Sequence, residues 1–120
     1  MTQQVFSEGE VAFGGYQKMF WNWSGDNSKV PAKQTLEITA MTLNYFPEGA
    51  GVVGRADVTG RDASGNAVWR LQVVYVAPKQ TSHLTFPAGL QLATGGHVEV
   101  GFTVDGPGKI FVSINGALVP

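Results

Sequence analysis

Cysteine is absent from this 120-residue chain. No disulfide can staple it, and no thiolate is available for metal binding or nucleophilic attack. Charge is scarce as well: eight Lys and Arg and nine Asp and Glu make up 14% of the residues, against about 25% in an average soluble domain. The cations are scattered singly from Lys18 to Lys109, and the net charge is −1. Phosphate neutralisation supplies most nucleic-acid affinity, so the sequence predicts no nucleic-acid partner. Long apolar runs are missing too. Nothing approaches the ~18 residues that span a bilayer, and no membrane insertion is expected. The opening residues Met1-Thr2-Gln3-Gln4 carry neither a basic nor an apolar signal region. The chain therefore reads as made in the cytoplasm without a signal peptide, then built into a particle or released outside the cell.

Catalytic and cofactor motifs are equally thin. There is no G-x-S-x-G, no H-E-x-x-H and no phosphate-binding loop, and no cofactor is expected. The only histidines, His83 and His97, each stand at the start of a predicted strand with no carboxylate in view to orient them as bases. Glu8 and Glu10 share one strand face, but nothing opposes them across a cleft as glycoside hydrolysis requires. Asp62, Ser64 and Asn66 alternate as calcium ligands do. They lack the further acids and the distal Glu of a full loop, and the same residues are ordinary turn formers.

What is present is alternation. Short apolar runs of period two, broken by glycine-rich turns, fill the chain from Val5 to Val119. Strands are expected at Gln4–Phe6, Val11–Phe13 and Tyr16–Trp23, with Gly14-Gly15 bending the chain between the last two. Ser24 to Lys33 reads as a loop. Thr35 to Phe46 loses one residue of phase at Ala40-Met41, as a bulge would cause. Val52 to Thr59 alternates cleanly, with Arg55, Asp57 and Thr59 on a polar face. Val68 to Val76 sets Trp69, Leu71, Val73 and Tyr75 towards the core, and Val74 and Val76 suggest that its second half is covered on both sides. Ser82 to Phe86 follows, then Leu90 and Leu92 after Pro87-Ala88-Gly89. Val98, Val100, Phe102 and Val104 alternate with polar residues, and Ile110 to Ile114 forms the last main strand before Asn115-Gly116 turns a short tail back. Such spacing predicts an all-β, single-domain β-sandwich of about eight strands over residues 1–120, jelly-roll-like in preference to immunoglobulin-like.

Two readings of function follow. Jelly-roll sandwiches serve capsids and lectins alike. Thin charge and missing chemistry favour a non-enzymatic structural protein that works through protein–protein contacts, as a homo-oligomer or part of a larger assembly. The alternative is a lectin-like module: Trp21 and Trp23, with Tyr16 nearby and the polar loop residues Asp26 and Asn27 beside them, have the composition of a glycan platform. Those five residues are the candidate ligand or interface contacts. Trp21 and Trp23 are equally suited to anchoring a core.

Overall fold

In the computed structural model the described residues are 2–49, 53–76, 78–104 and 107–120, without the side chain of Val104. Eight strands form: β1 Gln3–Ala12, β2 Tyr16–Lys18, β3 Thr35–Pro47, β4 Val53–Arg61, β5 Ala67–Val76, β6 Gln80–Leu92, β7 His97–Val104 and β8 Gly108–Val119. Val52, at the start of an expected strand, and Asp105-Gly106, in the glycine-rich stretch between Val104 and Ile110 where the sequence predicts a turn, lie outside the described residues.

The strands assemble into two four-stranded sheets, ordered β1-β8-β3-β6 and β2-β7-β4-β5. All the pairings are antiparallel, and they join first to last: β1 with β8, β2 with β7, β3 with β6, β4 with β5. A chain folded as one long hairpin of four strand pairs and then rolled up has this connectivity. The protein is a jelly-roll β-sandwich. The immunoglobulin-like alternative is set aside, because its sheets pair strands in another order.

The inner faces follow from alternation. Leu36 and Ile38, then Met41, Leu43 and Tyr45 of β3, pack against Val98, Val100 and Phe102 of β7 and Ile110, Val112 and Ile114 of β8 in one buried cluster. The ladder of β3 slips between Ile38 and Ala40. The extra residue, Thr39, puts both apolar sets on the same face, as the phase change in the sequence implies. At the core centre Tyr45 stacks on Tyr75 at 5.3 Å and meets Phe102 edge-on at 5.9 Å. Gly54 of β4 lies beneath these rings. A Cβ there would stand 2.8 Å from Tyr45 Cε1 and 3.0 Å from Phe102 Cε1.

Four expectations need correction. β1 is one continuous strand, because Ser7 and Gly9 take the inward positions between Val5 and Val11. Ser7 is buried, and its hydroxyl donates to Phe20 O at 2.6 Å. β6 likewise runs through Pro87-Ala88-Gly89. Its residues 86–89 bulge opposite Thr39, with Thr85 facing Ala40 and Leu90 facing Ile38. Asn115-Gly116 is no turn: β8 continues to Val119, paired on both sides. Gly116 fits there because a Cβ would come within 2.4 Å of Glu37 O.

The fourth correction concerns β5, the outermost strand of its sheet. Its inward residues Trp69, Leu71 and Val73 are only partly buried against the core, and Tyr75 alone is fully covered. Its outward valines are bare: Val68 is 57% exposed, Val74 63% and Val76 51%. The sequence predicts cover on both sides of Val74 and Val76, and among the described residues their outer side is left open.

Candidate functional site

The aromatic segment comes first. Strand β2 ends at Lys18, well short of the expected Trp23. The Met19 amide still donates to Val98 O, but Trp21 forms a bridge with Ser7 of the other sheet. The segment thus crosses from sheet to sheet and closes one side of the sandwich. Trp21 and Trp23 are buried, at 3% and 7% exposure. Their rings stack in parallel, 5.3 Å apart with a 3° tilt. The loop after them is knitted to them. Trp23 Nε1 donates to Asp26 O, Asn27 Nδ2 donates to Trp21 O, and the Trp21 amide donates to Asn27 O. Asp26 accepts from both the amide and the hydroxyl of Ser28, and these bonds hold its carboxyl below the usual range. Neither indole presents an open face on which a sugar could stack. Of the five candidate contacts Tyr16, at 73% exposure, and Asp26 face solvent, and Asp26 is tied to Ser28.

The outward face of the β2-β7-β4-β5 sheet carries the polar chemistry. Strand pairing sets Asp57 opposite Gly101 and Gln72, and Thr59 opposite Glu99 and Arg70. Tyr16 also lies opposite Gly101. All of these but Gln72, together with Arg61, line a shallow cleft of about 220 Å³. Glu99 is the most engaged: it accepts from His97 Nε2 at 2.7 Å and from Arg61 Nε at 3.0 Å. Burial opposes its charge, and the bonds from His97 and Arg61 more than offset that, so its carboxyl sits below the usual range. Arg55 pairs along its own strand with Asp57 Oδ2 at 3.3 Å. Asp57 Oδ1 is buried and meets no hydrogen-bond donor among the described residues.

The other candidates are placed as ordinary structure. His83 Nδ1 bonds the Thr42 hydroxyl across the β3–β6 pair. Glu8 lies on the outer face of β1, and Glu10 meets Lys109 at 3.4 Å. Asp62 Oδ1 accepts from the amides of Ser64 and Asn66, which makes it the organiser of a turn. Among the described residues no group of three potential metal ligands occurs, and no helix is long and apolar enough to cross a membrane.

Two features of interest were hidden in the sequence. The free edge of β5 depends on strand order, which alternation does not encode. The cleft draws on residues as distant as Tyr16 and Gly101, which only the β2–β7 pairing brings together. A polar alternation flanking Gly101 was the one available signal.

No protein-family model matches the chain, and no curated protein matches it. Among solved structures it is similar to a chain of infectious bursal disease virus, Gx strain, at 11% identity and TM-score 0.46, covering 98% of this chain and 36% of that one. The Gt strain gives 12% identity and TM-score 0.42, covering 98% and 32%. The D431N VP2 protein of the same virus, in derived T=1 particles, gives 10% and 0.32, covering 98% and 39%. The chain spans about a third of the length of the viral chains it matches.

Proposed function

We propose that this jelly roll is a non-enzymatic assembly unit, which associates with copies of itself through the outer edge of β5 and the valines beside it, as part of a larger particle. One observation carries the reading: the free edge of β5 coincides with the run of exposed Val68, Val74 and Val76. The Val76 amide donates to Gln80 Oε1, so it points away from β4. By strand alternation the backbone groups of Arg70, Gln72 and Val74 face the same way. Among the described residues no strand pairs with that edge. A ten-residue edge with apolar neighbours is a template for another strand. In an antiparallel two-fold pairing centred on Gln72, Val68 would face Val76 of the second copy and Arg70 would face Val74, so no like charges meet. Fully covering a half-exposed valine contributes about 1 kcal/mol, and a two-fold axis counts each one twice.

Two substitutions test it by sedimentation against the wild type. Val74→Lys puts a charge in the apolar strip. Gln72→Pro removes an amide that points away from β4, so the chain's own ladder is spared while an added strand is blocked. Both variants should be folded and at least tenfold weaker in association. Unchanged association in both would refute the β5 edge as the contact.

A further inference from the structure

We propose that the cleft on the outer face of the β2-β7-β4-β5 sheet binds a neutral polyhydroxylated small molecule, a single sugar ring, with Asp57 accepting from one hydroxyl and Arg70 donating to its neighbour. This goes beyond the assembly reading and does not depend on it, because strand addition at the β5 edge leaves the outer face of the sheet open.

The cleft holds balanced charge, and half of it is already satisfied. Arg61 and Glu99 bond each other at 3.0 Å, and His97 bonds the second oxygen of Glu99. Asp57 is paired along its own strand with Arg55 through Oδ2 at 3.3 Å, and Arg70 remains. Asp57 Oδ1 is buried without a donor, and Arg70 has no ion pair among the described residues. Oδ1 itself is closed to solvent, so a ligand hydroxyl meets the carboxylate on its exposed part, the side chain being 23% accessible. Asp57 faces Gln72 and Arg70 lies two residues before it on β5. The two side chains therefore spring from diagonal positions, roughly 7–8 Å apart at the backbone. That gap suits two adjacent hydroxyls, one donating to the carboxylate and one accepting from the guanidinium.

Neutrality follows from the same inventory. An anion drawn to Arg70 would meet Asp57, and a cation drawn to Asp57 would meet Arg61 and Arg70. Tyr16 stands at the rim and offers the C–H face of a sugar an exposed ring. At the floor, Gly101 leaves room: a Cβ there would meet only Tyr16 Cβ, at 3.9 Å. At about 220 Å³ the cleft holds one ring and not a longer chain of them, since pockets for drug-sized ligands run to ~300–1,000 Å³.

The test is saturation-transfer NMR, which reads the ligand and tolerates an assembled protein. Wild type, Gly101→Val and Asp57→Asn are each mixed with glucose, galactose, mannose, N-acetylglucosamine and myo-inositol, with acetate as the anionic control. Gly101→Val fills the floor with a residue that strands favour. Asp57→Asn keeps the shape and removes the charged acceptor, and it decides alone where Gly101→Val fails to fold. The expected result is transfer to at least one of the neutral probes and not to acetate, reduced at least tenfold in each folded variant. No transfer to any neutral probe, transfer that survives Asp57→Asn or a folded Gly101→Val, or transfer to acetate would overturn the proposal.

Discussion

Gly60 and Trp69 face each other across the β4–β5 ladder, and the indole lies over the glycine. A Cβ on Gly60 would come 2.3 Å from Trp69 Cε2 and 2.6 Å from Cζ2. Gly60 does not adopt a left-handed conformation, so the backbone accepts alanine and the whole cost of Gly60→Ala arises at the ring. Two atoms cannot share that space, and the indole must swing off. It then loses its bond from Nε1 to Gln91 O, 3.2 Å long, which ties β5 to β6 across the open side of the sandwich. It also loses the apolar cover of its inner half. A net hydrogen bond is worth about 1 kcal/mol, and overpacking in a well-filled site costs about 1–3 kcal/mol. The expected loss is therefore about 2 kcal/mol, or roughly 8 °C in Tm for a domain of this size. The assay is a double-mutant cycle with Trp69→Ala, followed by thermal unfolding and tryptophan emission. Trp21 and Trp23 are buried in both backgrounds, so a red shift in Gly60→Ala reports Trp69. On the Trp69→Ala background Gly60→Ala should be close to neutral, giving a coupling of about 2 kcal/mol. Equal costs in the two backgrounds, or no red shift, would refute this account of the contact.

Three further outcomes are expected. Trp23→Ala removes a buried ring that stacks on Trp21; it should cost about 3–5 kcal/mol by denaturant unfolding. Trp69→Ala should cost less, since its ring is only partly buried. The Glu99 carboxyl is held below its unfolded value. At pH values between the two the unfolded chain binds more protons, so this contribution is full above the ordinary carboxylate range and is lost as pH falls through the folded value. Glu99→Gln should therefore flatten the acid limb of a stability-against-pH curve and leave its neutral plateau lower.

The legible parts of the fold were those where both neighbours of a strand are fixed. β7 sits inside its sheet, and Val98, Val100 and Phe102 are buried as their alternation predicts. The phase slip in β3 was readable because it interrupts a long apolar run. Where alternation failed, a stronger term had won. Asn115-Gly116 has turn chemistry, yet pairing on both sides holds it in a strand. Ser7 looks like a break, yet its bond to Phe20 O lets it take a core position. Val74 and Val76 look like core, but among the described residues β5 has no strand beyond it and its outer face is bare. The candidate contacts divided similarly. Composition alone singles out Trp21 and Trp23, and composition suits a core as well as a surface. The cleft was unreadable because Tyr16, Asp57, Arg70 and Gly101 meet only through the register of three strand pairs.

The most direct test of the assembly claim is the mass of the untagged wild-type protein in solution, by light scattering on a sizing column across a range of concentrations. The account predicts a defined multiple of 12.8 kDa. A mass of one chain at every concentration would contradict it.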